Sequence, residues 1–227
     1  YYAFDVAVSL ALLLWLGGAR LTDLWQAIGA RPPGRVSLAL AAIFVPVAAL
    51  AAWRAGVARD LYPEAVLFSS LVAPFFEELL YRGLAIGVLM RLAGWRFLAA
   101  VLATSLVFGL SHVFQGESWG AVPTIVLFTA IGGVWFGWIY VRTGFDLWPP
   151  FVLHAGMNAV WAVFGLGQTA VGGRLGNGLR MLVIIASIVI VRRMTRGNAG
   201  NAENAANAGN AGNAGNAGNA GNRYVRS

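Results

Sequence analysis

The chain has 227 residues, of which 59% are hydrophobic and 11% charged, and its net charge of +7 rests on sixteen arginines with no lysine. A soluble domain of this size cannot cover so much apolar surface, and a mean hydropathy of +0.69 points to an integral membrane protein instead. The absence of cysteine excludes disulfides, thiol nucleophiles and cysteine-based metal sites, while the arginines lie mostly between apolar runs, as orientation signals do, so no nucleic-acid partner is expected.

The apolar runs are continuous rather than alternating, and backbone groups in lipid must be satisfied within their own segment, so helices are predicted throughout. The expected fold is all-α: a polytopic bundle of about seven transmembrane helices enclosing a polar cavity. In chain order the spans are 2–19, 36–53, 65–90, 97–114, 123–141, 148–166 and 179–191. The chain starts at Tyr1 rather than methionine, which is expected of an incomplete or processed N-terminus, and no signal peptide is legible. After the first span, residues 21–35 carry Asp23, Trp25, Gln26 and the Pro32-Pro33 pair, predicting an interfacial amphipathic piece followed by a turn. From 197 to 222 the chain repeats Asn-Ala-Gly, with no apolar side chain larger than alanine, and a disordered tail is expected there. Four parts follow: 1–64 with the N-terminal helices and interfacial segment, 65–166 as core, 167–196 with the last helix, and 197–227 as tail.

Arginine counting sets the orientation. With alternating spans, one side collects Arg20, Arg31, Arg35, Arg91, Arg96, Arg142, Arg192, Arg193 and Arg196, and the other Arg54, Arg59, Arg174 and Arg180. The richer side is expected to be cytoplasmic, and with it the C-terminus. The alanine-rich spans and arginine-only basic set suggest a GC-rich bacterial genome, hence a bacterial cytoplasmic membrane.

Against this background the polar intrusions stand out. Phe75-Phe-Glu77-Glu78-Leu-Leu-Tyr-Arg82 places two acids and an arginine inside the third span, where an ionised group costs several kcal/mol and is a functional candidate by default. Glu78 and Arg82 are four apart with the acid N-terminal, the favourable order for a helical ion pair, whereas Glu77 is rotated by about 100° and left free to act. Pro74 is taken as the mark of that helix's start. The two histidines are His112, closing the fourth span, and His154, opening the sixth, where it shares a helix face with Asn158. Glycine and alanine between them permit close approach of a neighbouring helix. Each histidine alone, and Asn158 still more, is read as readily as an interhelical hydrogen bond; the combination favours a site.

A desolvated carboxylate can take a proton from water, a neighbouring imidazole can shuttle it, and an imidazole with a carboxamide can donate to the oxyanion of a tetrahedral intermediate. That set describes amide hydrolysis by activated water. The same groups could instead hold zinc through two histidines and a carboxylate, Glu77, His112 and His154, although the His-Glu-x-x-His helix of zinc peptidases is absent.

The order Glu77-Glu78-x-x-x-Arg82, Phe108-x-x-x-His112, His154-x-x-x-Asn158 resembles the CPBP family of intramembrane proteases, also called Abi. That family includes the type II CAAX prenyl endopeptidases and bacterial bacteriocin-processing or immunity proteins. The resemblance covers roughly 65–166 and implies a helical core around a cavity. Carried over by motif position, Glu77 would be the general base, His112 its proton-transfer partner, and His154 with Asn158 the oxyanion donors, supported by Glu78 and Arg82. The substrate implied is a membrane-associated peptide or protein, with a prenylated CAAX end as one class, and the favoured reading needs no cofactor. Competing readings are a zinc metalloprotease, a non-catalytic immunity or scaffold protein, and a small ion-relay transporter; the intact motifs and the lack of an internal repeat argue against the last two. One tension remains in this scheme. His112 falls near the non-cytoplasmic end of its span and His154 near the cytoplasmic end of its own, a depth difference on the order of 15 Å, and the span boundaries are taken as the misplaced item.

Overall fold

A computed structural model describes residues 28–30, 32–91, 93–116, 118–167 and 171–196. The span at 2–19, most of the interfacial piece and the Asn-Ala-Gly tail lie outside the described residues. Within them the chain is helical, with no strand. Helices α1 (Arg35–Ala42) and α2 (Phe44–Ala55) form one continuous run. A second run begins with Pro63 in the first turn of α3 (Pro63–Leu67), where a missing amide costs nothing. It continues through a π segment (Phe68–Val72), α4 (Ala73–Glu78), a second π segment (Leu79–Ile86) and α5 (Gly87–Arg91). Then follow α6 (Phe97–Leu110), a 3-10 turn (Val113–Gln115), α7 (Val122–Arg142), α8 (Trp148–Phe164) and α9 (Arg174–Met194).

The predicted boundaries differ from these by a few residues, with one larger departure. The last helix starts at Arg174 instead of 179. Arg180, assigned by sequence to the loop side, lies inside α9, where its guanidinium stacks over Phe128 at 4.8 Å and Trp161 at 5.0 Å and donates to Asn177 Oδ1 at 3.0 Å. Those contacts make a charged residue acceptable within the helix.

Among the described residues four helices are long and apolar enough to cross a membrane: Arg35–Ala55, Phe97–Gln115, Val122–Arg142 and Arg174–Met194. Helix α8, at 17 residues, falls just short in length. The outer faces match a hydrocarbon solvent. Leu98, Leu102, Leu106 and Leu110 recur every four residues down α6 and are each half or more exposed. In water such a stripe would be an aggregation surface; in a bilayer it is covered. The protein is integral to the membrane.

Inside, α6 and α7 approach closely because Gly133-x-x-x-Gly137 presents no side chain: a Cβ on Gly133 would press on Ser105, and one on Gly137 on Ile86 and Val101. Two apolar clusters result. One gathers Leu40, Val47, Phe136, Leu153 and Val183; the other Leu79, Leu84, Ile86, Val101 and Tyr140. The buried charges of the second run lie between them.

Candidate active site

Pro74 does not begin a helix; it sits inside a continuous one. A proline there lacks an N–H and crowds the preceding turn, and the chain answers by widening into the π segment just before it. In that register the Ala73 amide reaches back five residues to Phe68 O. The next acceptor in the same register is Ser69 O, which faces a residue with no proton to give. Asn158 Nδ2 on α8 supplies it, donating to Ser69 O at 2.9 Å. Asn158 thus makes the interhelical bond that was its plainer alternative, with one amide hydrogen and its carbonyl left over.

One turn beyond Pro74 the expected ion pair is present. Arg82 Nη1 donates to Glu78 Oε1 at 3.0 Å, and both side chains are almost completely buried, at 1% and 0% exposure. Arg82 is held further by Gly133 O at 3.5 Å and by the faces of Phe108 and Phe136, 4.6 and 5.2 Å from the guanidinium carbon. Phe136 and Gly133 escaped the sequence reading. The only hint they gave was the Gly133/Gly137 spacing.

Glu78 does more than neutralise Arg82. The same Oε1 accepts a hydrogen bond from His154 Nδ1 at 2.8 Å. With Nδ1 committed as a donor, the imidazole is fixed in orientation, stacked on Phe136 with ring centroids 5.2 Å apart. Its far nitrogen, Nε2, then lies 3.7 Å from Glu77 Oε2. That gap is too long for a direct hydrogen bond, yet a single water can stand within bonding distance of both atoms. Glu77 and His154 are each buried, with 8% of their surface left open.

His112 is placed differently. It follows the end of α6 and its ring turns back, so that Nδ1 donates to Phe108 O at 2.7 Å. A carbonyl can only accept, so the proton of the neutral ring resides on Nδ1 and Nε2 keeps its lone pair. The ring also meets Phe108 edge-on at 4.7 Å, and His154 meets the same phenyl at 6.3 Å. The two histidines therefore share one aromatic neighbour. The helix carrying His112 ends at Leu110 rather than 114, so His112 lies beyond it and its ring turns back onto Phe108. Among the described residues no hydrogen bond or ion pair joins His112 to Glu77.

Of the residues named from sequence, the fold bonds Glu78, Arg82 and His154 into one group with Glu77 3.7 Å from His154, puts His112 one ring away, and ties Asn158 to the backbone a turn further along α8. Among the described residues no three His, Asp or Glu side chains converge to hold a metal ion. Within the set suggested for zinc, Glu77 Oε2 and His154 Nε2 are 3.7 Å apart, while His112 makes its hydrogen bond to Phe108 O.

The chain is similar to known proteins over the stretch that carries these residues. Residues 59–160 match the family described as "Type II CAAX prenyl endopeptidase Rce1-like". A protein of Bacillus subtilis (strain 168), named "Putative membrane peptidase YdiL", is 30% identical over 104 residues, a stretch covering 46% of this chain and 38% of that relative. The chain thus matches well under half the length of this curated relative. No solved structure matches significantly.

Proposed function

We propose, from the match of residues 59–160 to the Rce1-like endopeptidase family, that the chain is an intramembrane endopeptidase that hydrolyses a peptide bond of a membrane-associated substrate with water activated by Glu77. The observation that carries this reading is the placement of His154: Glu78 holds one imidazole nitrogen while the other faces Glu77 in a buried setting.

Glu77 Oε2 accepts a proton from the water, and the resulting hydroxide oxygen bonds to the scissile carbonyl carbon while the carbonyl π pair moves to its oxygen. The proton then resides on Glu77 or passes over the 3.7 Å gap to His154 Nε2. When the tetrahedral intermediate collapses, the C–N bond breaks and that proton goes to the leaving amine, so the atoms and charges return to their starting count. The oxyanion takes its stabilisation from a protonated His154 and from the second amide hydrogen of Asn158. His112, with its lone pair on Nε2, accepts the proton that the carboxylic acid product releases as it ionises and leaves the pocket.

The substrate class is a lipid-anchored or transmembrane peptide, with a prenylated CAAX-like end the first to try. Support comes from an apolar cavity of about 440 Å³ between the stretch Leu61 to Leu71 and Ala159 and Val163 of α8, the residue next to Asn158 among its walls. The arginine-rich side, with the C-terminus, faces the cytoplasm in this reading. The test is cleavage of a membrane-anchored peptide by the purified chain in liposomes. Glu77→Gln should lower turnover by roughly 100- to 10,000-fold, the range for loss of a general base, and leave the folded yield unchanged. Equal cleavage by the variant would remove Glu77 from the mechanism.

A further inference from the structure

At the arginine-rich end of the bundle, α7 and α9 finish side by side. Trp138 and Arg142 are four apart on the last turns of α7, and Arg192 and Arg196 are four apart at and just beyond the end of α9, so each pair lies on one face. These four side chains line a cavity of about 370 Å³. Among the described residues none of the three arginines has an ion-pair partner. Arg142 Nε is buried without a hydrogen-bond acceptor.

Two plainer explanations fall short. Arginines near helix C-termini are favoured by the macrodipole, but two helix ends bring only roughly half a negative charge each against three guanidinium charges. Arginines that merely orient the protein in the membrane have no reason to converge on one cavity or to bury a donor.

We propose that this pocket is a binding site for the phosphate of an anionic phospholipid headgroup. A phosphate diester offers the acceptors that Arg142 Nε lacks, and it suits the paired N–H geometry of guanidinium groups. The membrane setting selects a lipid over a soluble anion. Both helices are long and apolar enough to cross the bilayer and both end here, at the level of the headgroups. Trp138, only partly buried, supplies the amphipathic ring common at that depth. The pocket lies on different helices from Glu77 and needs no assumption about catalysis.

The test is native mass spectrometry of the full chain in detergent, titrated with phosphatidylglycerol and separately with phosphatidylcholine. Phosphatidylglycerol should bind at least tenfold more tightly. The variant R192Q/R196Q should lose roughly 30-fold of that affinity, about fivefold for each arginine near a headgroup. R193Q, on the same turn but outside the pocket, should change nothing. Equal binding of the two lipids, an unaffected double variant, or an equal loss in R193Q would overturn the site. A parallel titration with inorganic phosphate separates the sources: displacement of the lipid by millimolar phosphate would overturn the lipid assignment in favour of a free anion.

Discussion

Asn158→Ala removes the donor that serves Ser69 O at 2.9 Å and leaves a carbonyl that Pro74 cannot serve. A bare carbonyl in hydrocarbon would cost several kcal/mol. Side-chain bonds between membrane helices nevertheless measure only about 0.6 kcal/mol on average, with a maximum of about 1.7, because the freed group finds other donors. Ser69 is on the exposed side of its helix, where the backbone can shift, so the loss should be about 1 kcal/mol, roughly a fivefold change in the folding equilibrium. The register supplies a control. Pro74→Ala returns an N–H to the position that faces Ser69 O, and in the Asn158→Ala background it should recover most of the lost stability beyond its own effect in the parent. Unfolding of the four proteins in detergent completes a double-mutant cycle. A coupling below about 0.3 kcal/mol would show two independent residues and refute the register assignment. The same proteins address chemistry: if the double variant is stable but fails to cleave, Asn158 acts on the oxyanion as well as on the backbone.

Other perturbations have larger or simpler outcomes. Arg82→Ala leaves Glu78 buried with only His154 to offset its charge, and should cost about 3–5 kcal/mol, seen as lost folded yield on size-exclusion chromatography; Glu78→Gln in the same background should restore part of it. Gly156→Val puts a side chain where the Phe44 ring sits and should destabilise by about 1–3 kcal/mol, measured as a lower melting temperature in detergent. Dialysis against a membrane-permeant chelator should leave cleavage intact, whereas a loss restored stoichiometrically by zinc would move the proposal to a metal mechanism on the same residues.

Local relations were readable and non-local ones were not. The Glu78–Arg82 pair follows from helical spacing, and α1 to α9 follow from continuous apolar runs. The π segments left no trace in composition, because a five-residue register uses the same residue types as a four-residue one. Pro74 consequently read as a helix start. Arg174 and Asn177 fell outside the predicted span and Arg180 at its edge was counted with the flanking charges, because what holds Arg180 inside α9, the faces of Phe128 and Trp161, is far away in sequence. The bond between His154 and Glu78 spans 76 positions and had no local signature. Sequence placed His154 across the scissile carbonyl and left Glu78 to Arg82 alone; the fold makes Glu78 the residue that orients His154.

That last difference bears on why two adjacent glutamates are needed. A low-dielectric interior penalises net charge far more than it penalises an ion pair. Glu78 and Arg82 cancel each other, so the remaining balance rests on Glu77 and His154. A single proton shared by these two leaves the group neutral wherever it resides, on the carboxylate or on the imidazole. Moving it over the 3.7 Å gap between Oε2 and Nε2 keeps the net charge but turns a neutral pair into an ion pair, a desolvation cost that the short separation and the contact of His154 with Glu78 offset in part. Without Glu78, His154 would lose the acceptor that orients it and Arg82 its ion-pair partner. Adjacency in sequence is what makes this arrangement possible, since the rotation of about 100° between successive helical residues aims one carboxylate at Arg82 and the other at the far side of the same imidazole.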